Sequence, residues 1–432
     1  MKKVLIITYY WPPAGGPGVQ RVLKFAKYLP EFGWQPIILT VEKGEYPAND
    51  ETLSEGIPDC CKVYKTNSIE PTFLYKKFTG MRQDEKIPVA VLAERNQNWK
   101  KRIANWIRLN LFIPDAKIGW IPFAIRAGKR IIEREKPDII FSSSPPPTVH
   151  LIAMKLAKWS GIKWVADFRD PWTRIYHYNR SKKSKCSLLL DEKFEQQVVK
   201  SADSLVTVSN TFVNLLKHSS EDEFTIIPNG YDEADFWGLN THQRFDKFTL
   251  AYAGKMNNQQ NPSGLWTALQ QLIASNDDFA DNFQMLFMGN IESDVIEEIK
   301  KNKIEDCSRF VGYIEHNQVI ENILKSDVLL LLIPNTQDNE GIVSGKIFEY
   351  LATGNFILGI GPKNGEAARI LEQTKTGRMF DFNEFDGIKK EIEKQHEDWK
   401  NEVKPEVNKH EIEKYSRRKL TYKLVEIFNS LI

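Results

Sequence analysis

Two lysines, two glutamates and a set of glycines stand in this chain where apolar runs end, and their chemistry suits phosphate and sugar. In Ser344-Gly345-Lys346-Ile347-Phe348-Glu349-Tyr350-Leu351 the lysine and the glutamate are three positions apart, so they share one face of a helix that starts there. A helix start offers backbone N–H groups, which with a lysine cation suit phosphate, and the carboxylate suits sugar hydroxyls. Gly254 and Lys255 close a second apolar run, Ala251-Tyr252-Ala253, where the cation would neutralise a diphosphate leaving group. The alternative for Lys255 is a solvated surface charge.

Further candidates lie in the first half. Gly15 and Gly16, in Pro12-Pro13-Ala14-Gly15-Gly16-Pro17-Gly18, would let backbone approach an anion before a helix N-terminus reinforced by Arg21. A tight strand-to-helix turn with no ligand is the other reading. The spacing is not G-x-G-x-x-G, and Thr40 and Val41 stand where an acidic residue would follow the second strand, which disfavours a nicotinamide dinucleotide. Asp167, Arg169 and Asp170, before Pro171-Trp172, either hold acceptor hydroxyls or form a structural ion-pair corner. Ser143, in a serine and proline run, and His150 follow another strand, the histidine being a structural or an acceptor-side group. Gly361 to Glu366 form one more polar loop on the second half's rim.

The elements that must position these residues are legible as hydrophobic periodicity. Short apolar runs alternate with helical patterns, the signature of βαβ units in an α/β chain. Strands are expected at Val4–Thr8, Gln35–Thr40, Ile139–Ser142, Lys163–Asp167, Ser204–Val208 and Thr225–Ile227. A second series is expected at Phe248–Ala253, Phe283–Met288, Ser308–Val311, Val328–Ile333 and Phe356–Ile360. Val328 to Ile333 is continuously apolar, as a parallel strand buried on both faces requires. Two Rossmann-like domains follow: 1–228 plus 408–432, with an amphipathic helix from Ile412 to Ile432, and 229–407.

With 432 residues the chain is too long for one ordinary core. Its 59 basic and 57 acidic residues leave a net charge of +2, which gives no electrostatic case for nucleic acid. Cys60, Cys61, Cys186 and Cys307 lack metal-ligand or disulfide spacing, so a reducing cytoplasm and no metal are expected. The apolar run after Met1-Lys2-Lys3 is too short for a signal peptide, and none reaches the roughly 20 residues of a membrane span.

Taken in order, the glycine loop, Asp167-Phe168-Arg169-Asp170-Pro171-Trp172, Pro228-Asn229-Gly230-Tyr231-Asp232, Tyr252-Ala253-Gly254-Lys255 and Ser344 to Gly354 resemble glycosyltransferase family 4 over nearly the whole chain. The resemblance implies the GT-B fold, with two Rossmann-like domains facing an interdomain cleft. It implies retaining transfer of a sugar from a nucleotide donor, by family frequency a UDP-sugar, to a glycan or lipid-linked glycan of surface polysaccharide type. Neither a metal nor a cofactor is implied, the nucleotide-sugar being a substrate. By the same resemblance Glu349 holds ribose hydroxyls, Lys255 and Lys346 hold the diphosphate, and Gly15, Gly16, Gly254, Gly341 and Ser344 line the donor site.

Departures from the family pattern shift some roles. Where members carry a donor-sugar glutamate this chain has Gly341, so the contact comes from neighbouring Glu340, from backbone amides or from nothing, and Glu340 joins Lys255 and Lys346 as a catalytic candidate. Asn257 to Asn261 carry no second cation, leaving Lys346 to supply it, and Ser143 or its neighbours replace a histidine whose role His150 cannot inherit by position. A nucleotide-sugar 2-epimerase-like enzyme and a non-catalytic nucleotide-sugar-binding protein remain as alternatives. Cations and apolar residues alternate at helical spacing from Trp99 to Ile113, which fits either peripheral contact with an anionic membrane or an ordinary packed helix.

Overall fold

The computed structural model describes residues 1–44, 46, 48–69, 99–174, 183–217, 223–239, 243–336 and 339–432. The chain forms two compact units: Met1–Pro228 with Leu420–Ile432, and Asn229–Lys419. In the first lie β1 (Lys2–Ile7), β2 (Ala14–Gly15), β3 (Trp34–Val41), β4 (Ala48–Asn49), β5 (Lys62–Thr66), β6 (Ile139–Ser144), β7 (Trp164–Phe168), β8 (Ser204–Thr207) and β9 (Phe224–Ile226). Seven of them make a parallel sheet in the order β5-β3-β1-β6-β7-β8-β9, while β2 and β4 form a two-residue antiparallel pair.

The second unit holds β10 (Phe248–Ala253), β11 (Phe283–Met288), β12 (Ser308–Gly312), β13 (Val328–Leu332), β14 (Phe356–Ile360) and β15 (Gly377–Phe380). They form a parallel sheet in the order β12-β11-β10-β13-β14-β15.

Continuous apolar strands are explained by the two cores each sheet separates. In β13, Val328, Leu330 and Leu332 face one buried cluster and Leu329 and Leu331 the other. In β1, Val4 and Ile6 face one cluster and Leu5 and Ile7 the opposite one. Helices on both faces remove all of this surface from water.

An aspartate recurs as a register pin in both sheets. Asp138 accepts a hydrogen bond from Lys3 N–H at 2.7 Å, Asp203 from Trp164 N–H at 2.9 Å and Asp327 from Thr249 N–H at 2.9 Å. Each aspartate's own N–H returns to the carbonyl of that same residue, at 2.8, 2.9 and 3.1 Å. Both backbone polar groups of Lys3, Trp164 and Thr249, at the starts of β1, β7 and β10, are thereby held, and a one-residue slip would break two bonds as well as reverse the pleat.

The expected strands are present, with four additions. β5 and β15 are edge strands, and β2 and β4 are too short to leave a periodicity. The closing helix also differs from expectation, since it splits into Lys409–Glu413 and Arg417–Leu431. Residues 408–419 belong with the second unit, where Ile412 packs in the core, and the return to the first unit comes at Leu420. Leu420, Leu424 and Phe428 then pack beneath the first sheet, Phe428 meeting Trp34 edge-on at 5.2 Å.

Candidate active site

In an open parallel sheet, ligands bind beyond the carboxyl ends of strands where the strand order reverses. The second sheet reverses between β10 and β13. Beyond β10 comes Gly254, with φ +111°, and the loop after β13 leads into helix Lys346–Thr353. The sheet topology therefore brings Gly254 and Lys346, 92 positions apart, to one point.

There the Lys346 side chain lies against Gly254 so closely that a Cβ on the glycine would meet Lys346 Cε at 2.6 Å and Nζ at 2.9 Å. Lys346 Nζ donates to the Tyr252 hydroxyl at 2.8 Å and stands 4.1 Å from the centre of the Tyr252 ring. One turn further on the same helix face, the Tyr350 hydroxyl accepts the Ala253 N–H at 3.1 Å. These two bonds fasten the helix start to the end of β10. Burial pulls the Lys346 ammonium down to about 8, against the opposing influence of Glu349. The positive end of the helix thus carries a partly desolvated cation, an arrangement that suits a phosphate group.

Glu349, half-buried on the next turn, has its carboxyl raised by burial; Asp235 raises it further, while His316, Arg417 and Lys346 lower it. Lys255 is exposed and its Nζ lies 3.0 Å from Glu292, so it is a rim charge rather than part of the Lys346–Tyr252 contact. Glu340 is exposed in the turn Asn339–Gly341, with Gly341 buried beside it. Ser344 is half-buried and its carbonyl accepts the Ile347 N–H at 3.1 Å, opening the helix. Tyr252 and Tyr350 had no assigned role from sequence. Their signals were position alone, Tyr252 three residues before Lys255 and Tyr350 four after Lys346.

The residues of the first unit behave differently. Asp167 receives Arg21 Nε at 2.9 Å and Nη2 at 2.8 Å, and the Ser143 hydroxyl at 2.6 Å. Arg21 is 1 % exposed and Asp167 not at all, so this cation lies inside the core and does not supply charge at the glycine loop as expected. Arg169 donates to the backbone carbonyls of Ser144, Gly18 and Pro145 at 2.8, 2.5 and 3.2 Å, tying the loops together. His150 is fully buried; its Nδ1 is 2.8 Å from the Ser142 hydroxyl and its ring centre 4.5 Å from that of Phe168. Burial drives its pKa down to about 3, so it stays neutral. Gly15 pairs with Ala48, and Gly16, with φ +96°, caps the first helix with open space where a Cβ would stand.

Of that group, Asp170 lines a pocket of about 260 Å³ at the carboxyl rim of the first sheet. Trp172, Phe112, Arg108 and Asp115 also face it. Beside it, helix Trp99–Leu111 exposes Ile103, Trp106 and Leu111; the side chains of residues 99–102, 104 and 105 lie outside the described residues. No helix among the described residues is long and apolar enough to cross a membrane. Nor do three His, Cys, Asp or Glu side chains among them converge as a metal site would need.

Comparisons with known proteins agree with this architecture. Among solved structures, sucrose-phosphate synthase from Thermosynechococcus elongatus superposes with a TM-score of 0.63 at 12% identity, over 100% of this chain and 99% of that one. A glycosyltransferase from Rickettsia africae gives 0.63 at 16%, over 100% and 98%. Anabaena HepE in complex with UDP-glucose gives 0.60 at 12%, over the whole of both chains. At such identities the likeness shows the fold, which is GT-B. The glycogen synthase of Mycobacterium tuberculosis is 24% identical over 153 residues, 35% of this chain, and the match spans 36% of that protein's length. The profile described as Glycosyl transferases group 1 matches residues 240–412 and that of Glycosyltransferase Family 4 matches residues 16–235, about half of the chain. The chain belongs to glycosyltransferase family 4.

Proposed function

We propose that this protein is a retaining glycosyltransferase that moves a sugar from a nucleoside diphosphate donor, a UDP-sugar, to a glycan or lipid-linked glycan acceptor in surface polysaccharide synthesis. The observation that carries the reading is the Lys346 ammonium held against Gly254 at the head of a helix, at the reversal point of the second sheet, with Glu349 one turn on. Lys346 and the helix start hold the diphosphate, Lys255 adds rim charge, and Glu349 accepts hydrogen bonds from the ribose hydroxyls. Gly341 leaves room beside the donor sugar, which Glu340 borders. Gly15 and Gly16 supply side-chain-free backbone.

In this scheme the bond between the anomeric carbon and the β-phosphate oxygen breaks, and the acceptor oxygen bonds to that carbon on the same face. The acceptor proton passes to the departing phosphate oxygen, so no strong protein base is needed. Lys346 and Lys255 meet the charge that develops on the diphosphate. The acceptor sits in the first unit's pocket, where the Asp170 carboxylate and the Trp172 ring suit sugar hydroxyls and sugar faces. Asp167, Arg169, Ser143 and His150 support that rim from within. The protein works in the cytoplasm at the inner membrane face, where Ile103, Trp106 and Leu111 meet lipid.

The test is a calorimetric panel of UDP, GDP, ADP and TDP with their common sugars, on wild type, Lys346→Met and Glu349→Ala. Selective binding of one nucleotide by wild type, weakened in both variants, supports the reading. No binding of any nucleotide by folded wild type overturns it.

A further inference from the structure

We infer that Tyr252 is a positioning residue for the diphosphate-binding lysine: its hydroxyl and ring hold the Lys346 ammonium, charged and in place, before the donor arrives. This rests on the donor-site reading above and adds a residue to it.

The polarity of the contact is fixed by a second hydrogen bond. Tyr252 is fully buried, and its O–H donates to the Lys255 carbonyl at 2.7 Å. Its single proton is thus committed, and what it turns toward Lys346 is a lone pair, which accepts from Nζ at 2.8 Å. The ring face adds attraction for the cation at 4.1 Å. Burial holds the phenol far above its ordinary range, so it stays neutral throughout the working pH. A desolvated ammonium tends to lose its proton, and burial brings Lys346 down to about 8 although the Glu349 carboxylate on the same helix opposes it. Hydrogen bonding to the charged form opposes that loss. The hydroxyl therefore keeps a larger share of Lys346 protonated near neutral pH than burial alone would.

Steric confinement completes the arrangement. Gly254 has no side chain and adopts φ +111°, which opens the groove that the lysine occupies. The Gly254 N–H is held by the Met288 carbonyl at 2.6 Å, so this strand end is anchored independently of the lysine. The link from Tyr252 to the Lys255 carbonyl also fixes the backbone that carries the rim cation. One phenol thus sets the position of both lysines, Lys346 through its ammonium and Lys255 through its main chain.

The experiment measures UDP affinity by calorimetry from pH 6.5 to 9.5 for wild type, Tyr252→Phe, Tyr252→Leu and Lys346→Met. Tyr252→Phe keeps the ring and the packing and loses only the hydroxyl. It should weaken UDP about fivefold at pH 7.5 and move the alkaline loss of binding to lower pH. Tyr252→Leu should weaken UDP further, and in the Lys346→Met background Tyr252→Phe should change nothing more. Wild-type UDP binding that falls in Lys346→Met, with Tyr252→Phe unchanged in both affinity and pH midpoint, overturns the inference and leaves the donor site standing. An equal loss at every pH with no moved midpoint also overturns it, since that is packing damage. Failure of folded wild type to bind any nucleotide, or unchanged UDP binding by Lys346→Met, removes the donor-site reading and the inference with it.

Discussion

Arg21 and Asp167 meet through two parallel hydrogen bonds, Nε to Oδ2 at 2.9 Å and Nη2 to Oδ1 at 2.8 Å, with both side chains removed from water. The pair joins the first helix to the end of β7 in the middle of the first unit. Such a pair, planar and bidentate, is strong as a pair and costly to break singly. Asp167→Ala should therefore destabilise the protein by about 3–5 kcal/mol in denaturant unfolding, because an uncompensated guanidinium remains buried. Replacing both partners with apolar residues of similar size should recover most of that loss.

Glu349→Ala should weaken UDP binding by about 1.5–3 kcal/mol, the range for a charged hydrogen-bond acceptor, with the fold intact by circular dichroism. Unchanged affinity would remove the ribose assignment.

Gly254→Ala asks a residue with a side chain to adopt φ +111° and places a Cβ 2.6 Å from Lys346 Cε. The lysine can swing away, so stability should fall only by about 1–3 kcal/mol. The displaced ammonium should lower UDP affinity by roughly tenfold or more, about 1.4 kcal/mol. Calorimetry beside a melting curve separates the two effects.

Glu195 gives a pH dependence of stability. Burial raises its carboxyl from 4.5 to about 7, although it accepts hydrogen bonds from the Thr173 hydroxyl and N–H. Between those values the folded state binds more protons than the unfolded state, so stability falls as pH rises from about 4.5 through about 7 and then levels. Urea midpoints across pH 4.5–8 should show that decline, and Glu195→Gln should flatten it.

Trp106 and Ile103 test the membrane proposal. Replacing both with serine should reduce sedimentation with anionic vesicles by at least about tenfold, given the apolar surface removed, while UDP affinity is unchanged. Equal sedimentation of both proteins would argue for an exposed but idle helix face.

The fold was largely legible because parallel strands buried on both faces are continuous apolar runs, as Val328 to Leu332 illustrates. The missed strands lack that signal. Lys62-Val63-Tyr64-Lys65-Thr66 and Gly377-Arg378-Met379-Phe380 lie at sheet edges and mix charge with apolar residues. In the second half, a lysine and a glutamate one turn apart on one helix announce themselves by local spacing. The first half's Asp167, Arg169, Ser143 and His150 looked equally chemical, but their roles depend on partners remote in sequence. Nothing local tells that Arg21, 146 residues away, occupies Asp167. Tyr252 was overlooked because an aromatic residue inside a buried strand reads as core, and only the direction of its hydroxyl gives it another role.

The return of Leu420–Ile432 beneath the first sheet sets an order of assembly. The second unit is one unbroken stretch, entered and left side by side, since Tyr231 N–H bonds the Tyr415 carbonyl at 3.1 Å and Arg417 N–H the Tyr231 carbonyl at 2.8 Å. Its last residue is translated before the first unit's closing stretch begins. The first unit, although most of it emerges earlier, must wait with the apolar face around Trp34 and Phe141 uncovered until Phe428 has emerged. In a growing chain, the half translated first is thus the half completed last.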